Sequence, residues 1–520
     1  MRRLVMEMRD SSMYGARRIN IVDPGSAKCV VEKRAGSGIC LDQIGIAPRV
    51  HEPIGACYVA SWLRNHDYEV RVVFPNSANI SMEEVLEGDP DIVAFSCMTY
   101  NYPIVAEIAR RIKQTPEPRR FQIRTVLGGY HALNLAQELS SATVGSVAPE
   151  EEKEFVGNSL ELFDFVVCGE ADWTLGDLSE YFHGHINREE IRGVIYRAGE
   201  LWVNNFSRFD PNLNPVPLRT PEMMSRNRRF GLYYPAPSKQ RAALFVWSRG
   251  CPRNCFWCQS NKMFPKDGSR PKVMYRDVGN IIDEVRQCQE QLGVNFGFAV
   301  DLNFYGGGLP RITHLCQELG RTGLPWYAMA RADADIQIFE HMKRGGCTEV
   351  GIGVESLICQ KKSGAPDIAQ WRKRASDLAH TLRNIGLLSK FYYILGDWGE
   401  SVEDLQAEAD AICEVPCDEI RLSWMMPSPG SEQYETIRQA GGLVTEDLSK
   451  FSTDYPIIRI PSATPEELQK MRLDIYRRFY SPGRYGEQAR QMVGRNPRLE
   501  RSFWEFNFHL ESALGQGFWD

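Results

Sequence analysis

Three cysteines, Cys251, Cys255 and Cys258, stand at a C-x3-C-x2-C spacing in the segment Cys251-Pro-Arg-Asn-Cys255-Phe-Trp-Cys258. Thiolates gathered on one short loop are soft ligands for iron or zinc. A [4Fe–4S] cube has four irons, so a three-cysteine loop holds three and leaves the fourth open to another ligand. A structural zinc ion prefers four protein ligands. Here the fourth would have to come from elsewhere, because the nearest other cysteine, Cys288, has no C-x2-C partner. Zinc and inert buried thiols remain the alternatives, and the spacing favours the open cluster.

The loop needs a scaffold. An apolar run, Ala242 to Trp247, precedes it, and Arg249-Gly250 reads as a turn. Further apolar runs follow, each ending in polar or glycine-rich residues: Phe296 to Val300, Trp326 to Met329, Gly345 to Gly353, Phe391 to Leu395 and Ile420 to Met425. Six strand-plus-helix units in this order predict a partial (β/α)6 barrel, with chemistry at the strand carboxyl ends.

The amino-terminal half repeats the alternation. Ile19 to Val22, Val70 to Phe74, Ile92 to Ser96, Ile123 to Leu127 and Phe163 to Val167 read as strands. Gly55 to Leu63 and Ile104 to Lys113 carry apolar residues at helical spacing. This order predicts an α/β fold, a doubly wound (Rossmann-like) parallel sheet whose ligands bind outside the strand carboxyl ends. Ile191 to Asn205 reads as a hairpin linking two domains, and the Pro-rich segment from Pro211 to Pro237 as a connector. Residues 440–520 are mostly helical in pattern, with Thr464-Pro-Glu-Glu as a start signal. The tail aromatics, Phe503, Trp504, Phe506, Phe508, Phe518 and Trp519, suit a barrel floor better than a cavity lining.

At 520 residues, two or three domains are expected. Hydrophobic residues make up 43% and the net charge is −6, so no basic field points to nucleic acid. The clusters Arg226 to Arg229 and Arg372 to Arg374 read as solvated faces. Most of the 14 cysteines are isolated in apolar segments, which suits a reducing, cytoplasmic setting. Cys413 and Cys417 lack further ligands nearby and read as core residues. No signal-peptide core opens the chain, and no apolar run is long enough to predict a transmembrane segment.

Several motifs together resemble a known family. His51-Glu-Pro53-Ile-Gly55-Ala-Cys57-Tyr58, Ser96 to Tyr102, Leu127-Gly128-Gly129-Tyr130-His131 and Val167-Cys168-Gly169-Glu170-Ala-Asp172-Trp-Thr174 are similar, in order, to the loops of a cobalamin-binding domain. The cysteine loop, Asp301-Leu-Asn303-Phe304, Gly345 to Ser356, Phe391 to Glu400 and Pro427-Ser-Pro429-Gly430 resemble the radical S-adenosylmethionine (SAM) domain. The chain thus resembles the cobalamin-dependent (class B) radical SAM enzymes, most of whose characterised members are C-methyltransferases. The resemblance implies a cobalamin-binding domain over 1–190, a connector over 191–240, a radical SAM domain over 241–435 and a helical region over 436–520.

The resemblance also implies roles. Cys251, Cys255 and Cys258 would hold the cluster. Trp257, Asp301, Asn303, Arg331, Glu355, Ser356, Gly396 and Pro429 would contact SAM, with Glu355 as ribose acceptor. Trp398 stands where the family usually has proline, so that turn is expected to differ. Pro53, Gly55, Ser96, Thr99, Tyr100, Gly128, Gly129, His131, Gly169, Glu170 and Thr174 would receive cobalamin. The D-x-H-x-x-G pattern of cobalt-ligating histidines is absent, which fits base-off cobalamin without a histidine ligand, and His131 reads as a loop or nucleotide-tail contact.

The implied reaction uses SAM twice, once to form methylcobalamin and once, cleaved at the cluster, to make a 5′-deoxyadenosyl radical. The radical would take hydrogen from an unactivated substrate carbon, which then receives the methyl group. That demands cobalt and the SAM 5′-carbon on either side of one substrate carbon. The alternative is ring formation, rearrangement or oxidative cyclisation without methyl transfer, and the non-enzymatic alternative is a corrinoid carrier or regulator. A reductant such as flavodoxin or ferredoxin is implied. Natural-product intermediates, lipids, tetrapyrroles and protein side chains all remain open as substrates.

Overall fold

A computed structural model describes residues 18–25, 29–31, 53–74, 79–115, 123–134, 161–198, 201–205, 216–217, 219, 241–253, 255, 258, 273–356, 367–429, 431–481, 483–486 and 490. Trp257, most of the connector, Arg226 to Arg229 and the tail aromatics lie outside the described residues. The chain divides into two compact units: residues 1–40, 53–210 and 215–218, and residues 41–52, 211–214 and 219–520.

In the first unit the strands are β1 (Arg18–Val22), β2 (Cys29–Val31), β3 (Glu69–Val73), β4 (Asn79–Ser81), β5 (Ile92–Ser96), β6 (Arg124–Gly128), β7 (Phe165–Val167), β8 (Val194–Ala198) and β9 (Leu201–Asn205). Seven of them form one sheet in the order β3-β1-β5-β6-β7-β8-β9, parallel as far as β7. β2 and β4 pair separately. The helices are α1 (Ile54–Arg64), α2 (Met82–Leu86), α3 (Tyr102–Gln114) and α4 (Ala171–Phe182).

Side chains alternate across each strand, so a sheet covered on both faces is apolar on both. Val22, Val93, Phe95, Leu127 and Val166 pack with α3 on one face. Ile19, Ile21, Val70, Ala94, Val126 and Val167 pack with α1 and α4 on the other. The hairpin β8–β9 forms as the sequence suggests, but it extends this sheet antiparallel from β7.

The second unit holds β10 (Ala242–Phe245), β11 (Ser248–Gly250), β12 (Val273–Tyr275), β13 (Phe296–Ala299), β14 (Trp326–Arg331), β15 (Cys347–Gly353), β16 (Leu388–Leu395) and β17 (Glu419–Trp424). Its helices are α5 (Val278–Leu292), α6 (Gly308–Thr322), α7 (Ile336–Arg344), α8 (Ile368–Ile385), α9 (Val402–Glu414), α10 (Glu432–Gln439) and α11 (Pro465–Phe479). Six strands run parallel in the order β10-β13-β14-β15-β16-β17, an open half-barrel with a helix in each crossover. Phe391, Tyr393 and Leu395 of β16 enter the core beneath the helices, as do Ile420, Leu422 and Trp424 of β17. Cys417 lies in that core and Cys413 packs against it. Arg372 pairs with Glu414 on the exposed surface.

An open barrel leaves an edge strand whose amides need acceptors. α11 supplies them. Leu422 N–H donates to Tyr476 Oη at 2.8 Å and Ile420 N–H to Tyr480 Oη at 3.1 Å. Trp424 N–H continues the row to the Thr453 carbonyl at 2.8 Å. The helix starts at a capping box of Thr464 and Glu467.

Candidate functional site

The cysteine loop leaves the sheet after β10. Arg249-Gly250, expected to be a turn, lies in β11, which pairs antiparallel with β12. That pair closes the base of the excursion containing Cys251, Cys255 and Cys258. Behind it lies Asp301, 4% exposed, just past β13. Asp301 Oδ1 accepts the Trp247 and Ser248 amides at 2.7 and 3.1 Å, and Oδ2 accepts the Ser248 hydroxyl at 3.0 Å. Burial pushes its carboxyl up to about 6, against the pull of those donors. Asp301 is therefore engaged with the loop base.

A second carboxylate holds the loop further along. Asp333, just past β14, accepts Arg331 Nε and Nη2 at 2.9 and 3.2 Å. It also accepts Arg253 Nη2 of the cysteine loop at 3.0 Å and the Tyr305 hydroxyl at 3.3 Å. Burial opposes its charge, but Arg331 and Arg253 hold its carboxyl below the usual carboxylate range. The remaining Arg331 nitrogen, Nη1, lies 3.9 Å from Cys255 Sγ. Burial pushes the Cys255 thiol up; Arg331 works the other way, and Cys258, Glu355 and Cys251 add to the rise. The three cysteines, Arg331 and Glu355 thus share one electrostatic neighbourhood. Cys258 N–H bonds the Cys255 carbonyl at 3.0 Å, which tightens the loop between them. Among the described residues, no three His, Cys, Asp or Glu side chains are drawn to metal-coordination spacing.

The other SAM candidates sit at neighbouring strand ends. Asn303 is buried, and its Oδ1 has no hydrogen-bond partner. Glu355 follows β15 in a left-handed conformation, φ 66°, costly for a residue other than glycine. Its carboxylate folds back over Gly353, where a Cβ would lie 2.5 Å from Glu355 Oε1. Burial pushes that carboxyl up to about 7, with Arg331 opposing. Ser356 and Pro429 are buried. Gly396 N–H and Asp397 N–H both donate to Glu400 Oε2, at 2.8 and 3.0 Å. Trp398 is accommodated there, its N–H bonded to Asp397 Oδ1 at 2.7 Å.

In the first unit, the strand-end loops are tied to one another. Asn101 Oδ1 accepts the Met98 amide at 2.9 Å, and Asn134 Nδ2 donates to Thr99 Oγ1 at 3.1 Å. Asp23 caps β1 through the Gly25 amide at 2.9 Å and also bonds Ser96. Gly129 (φ 88°) packs so closely that a Cβ would lie 2.6 Å from the Cys97 N and O. Met98 and Tyr100 stay exposed on this loop. His131 is fully buried, its ring 4.3 Å from Tyr102, and burial pulls its imidazole down to about 3. Pro53 precedes α1, and Gly55 faces open space. Gly128 ends β6 and Gly169 follows β7. Glu170 stands at the N-cap position of α4 without a side-chain cap bond, and Thr174 Oγ1 donates to the Arg192 carbonyl at 3.0 Å, with the Glu170 carbonyl 3.3 Å away.

Residues 45–157 match the B12-binding domain. An uncharacterized methyltransferase of Pyrococcus horikoshii is 22% identical over 82% of this chain and 87% of its own. The anaerobic magnesium-protoporphyrin IX monomethyl ester cyclase of Cereibacter sphaeroides is 23% identical over 76% of this chain and 61% of its own. The cobalamin-dependent SAM radical enzyme OxsB, with aqua-cobalamin and SAM bound, shares the fold at a TM-score of 0.61 and 15% identity, covering 96% of this chain and 75% of that one. The chain carries a B12-binding domain and shares its fold with a cobalamin-dependent SAM radical enzyme.

In this chain the sequence motifs fall on strand ends of two parallel sheets. Each sheet gathers its own set: Ser96, Thr99, Gly129 and Gly169 at one, and Asn303, Arg331, Glu355 and Gly396 at the other. Sequence reasoning missed Asp333, Tyr305, Arg253, Asn101 and Asn134. Their signal lies in partners distant along the chain. No helix among the described residues is long and apolar enough to cross a membrane.

Proposed function

We propose that the enzyme methylates an unactivated carbon of its substrate, with cobalamin, a [4Fe–4S] cluster and SAM as cofactors. The observation that carries this reading is one chain holding both a B12-binding domain and a three-thiol loop at the head of a half-barrel. The methyltransferase relative, aligned over 82% of the chain, supports it. The donor chemistry fits the cluster: three half-buried thiols, with a guanidinium beside one of them. When bound, the cofactors supply a carbon radical and a transferable methyl group, chemistry that no side chain offers.

The protein's own residues hold and orient. Cys251, Cys255 and Cys258 would ligate iron. Asp301 fixes the loop base, so a SAM contact is not proposed for it. Glu355 would accept the ribose hydroxyls, and the buried Asn303 Oδ1 would accept from the SAM ammonium. Ser356, Gly396 and Pro429 would line the nucleoside. At the other sheet the left-handed glycine turns at Gly129 and Gly169, with Gly55, Thr99 and Tyr100, would present the loops that receive a corrinoid.

The test is anaerobic reconstitution with iron, sulfide and cobalamin, followed by assay of SAM products. Formation of 5′-deoxyadenosine and S-adenosylhomocysteine, with a product heavier by one methylene, is expected. A variant with all three loop cysteines changed to Ala is expected to bind cobalamin and make no 5′-deoxyadenosine. If that variant still makes it, the reading is wrong. The cyclase relative supports a second reading, oxidative ring formation. There 5′-deoxyadenosine would appear without S-adenosylhomocysteine or added mass.

A further inference from the structure

The clamp around Asp333 has no explanation in stability. Arg331, Asp333 and Arg253 side chains are 36%, 47% and 49% exposed, and ion pairs that open to water contribute little. Its geometry is nonetheless specific. Asp333 grips two nitrogens of the Arg331 guanidinium, Nε and Nη2, which fixes the plane of the group. The third nitrogen, Nη1, is then directed to Cys255 Sγ at 3.9 Å. The same carboxylate takes Arg253 from the cysteine loop, 80 residues away in sequence, and Tyr305 from the segment after β13. Three separate chain segments meet at one acceptor.

Resting on the cluster reading above, we propose that Asp333 is a positioning residue for the iron–sulfur centre. It holds the Arg331 guanidinium against the Cys255 sulfur and thereby raises the reduction potential of the cluster. The physics is direct. One-electron reduction adds a negative charge shared with the ligand sulfurs. A cation and an N–H donor at one sulfur favour the reduced form. A carboxylate acting alone would do the opposite. Asp333 therefore raises the potential only if its effect passes through Arg331.

That difference in sign makes the test. Wild type, Asp333→Asn, Arg331→Gln and the double variant are reconstituted without SAM and titrated with dithionite, following the reduced-cluster signal by electron paramagnetic resonance. Each single variant is expected to have a lower midpoint than wild type. The double variant is expected to fall no further than the lower single. An unchanged or raised midpoint in Asp333→Asn overturns the proposal. So does a double variant whose shift equals the sum of the singles, because Asp333 would then act independently of Arg331. If Asp333→Asn takes up no iron, Arg331→Lys carries the test. It loses the planar fork but keeps the Arg253–Asp333 pair, and its midpoint is expected to be lower; no change overturns the claim. Absence of a cluster signal in wild type would instead sink the functional reading.

Discussion

Replacing Asp301 with Ala removes the acceptor for two buried backbone amides, Trp247 and Ser248, and for the Ser248 hydroxyl. The hydroxyl can turn to another partner, but the amides cannot. Each buried donor left unmatched costs about 1–3 kcal/mol, so the two amides set a scale of roughly 2–6 kcal/mol against the closed loop base. Global unfolding is a poor readout in a two-unit chain, so local opening is the quantity to follow. At about 1.4 kcal/mol per tenfold, exchange of these amides should speed up roughly thirtyfold or more. The assay is hydrogen exchange with mass spectrometry on peptides spanning 245–250, with a β5 peptide as internal control. Asp301→Asn keeps one carbonyl oxygen for both amides and should restore most of the protection. Exchange in the Ala variant within about threefold of wild type would refute the clamp. So would an Asn variant as open as the Ala variant.

Gly129→Ala should combine left-handed strain with a Cβ 2.6 Å from the Cys97 backbone, lowering the melting temperature of the first unit and its cobalamin uptake, both measurable by absorbance. Tyr476→Phe should leave the Leu422 amide on the barrel edge without its acceptor, costing about 1–3 kcal/mol in denaturant stability. Glu400 is raised by burial, from 4.5 to about 8, against the Asp397 and Gly396 amides, with the Asp397 charge adding to the rise. A carboxyl raised on folding binds its proton more tightly in the native state, so its contribution is most favourable below about pH 4.5 and declines as pH rises to about 8. Glu400→Gln should flatten that part of the pH–stability profile, measured by thermal melts across this range.

The strands were legible because each is an apolar run stopped by residues that cannot continue it. Ile92 to Ser96, stopped before the Cys97 loop, is observed with those bounds. α11 was legible from Thr464 and Glu467, whose spacing writes the capping box directly. β11 and β12 were not, because three-residue strands are too short to show a period and their pairing joins segments some 25 residues apart. The hairpin was visible, but not the sheet it would extend, since β8 is chosen by β7. At the site, cysteine spacing announced the loop, whereas the carboxylates that shape it did not announce themselves. Asp301 sits 54 residues from Trp247, and Asp333 80 from Arg253. The motif position of Asp301 suggested a ligand contact, Asp333 was not singled out, and only tertiary structure shows the donors of both.

Both units solve one physical problem in the same way. A parallel sheet delivers its strand ends to one edge, and the loops leaving that edge carry more backbone donors than the sheet can satisfy. In each unit, acidic or amide side chains supply the missing acceptors, most of them from within the same turn and Asp301 from a neighbouring loop. Asn101 and Asp23 do so at Met98 and Gly25. Asp301 does so at Trp247 and Ser248, and Glu400 at Gly396 and Asp397. Such clamps fix loop positions without filling the mouth with apolar bulk, which leaves that edge free for ligands. Two of the strongest burial-driven pKa rises among the described carboxyls, at Asp301 and Glu400, fall on residues that accept backbone amides, whose bonds oppose the rise. A perturbed carboxyl at a strand end therefore marks the architecture of this site before it marks its chemistry, and Glu355, which burial raises to about 7 against Arg331, is the carboxyl for which we propose a ligand contact.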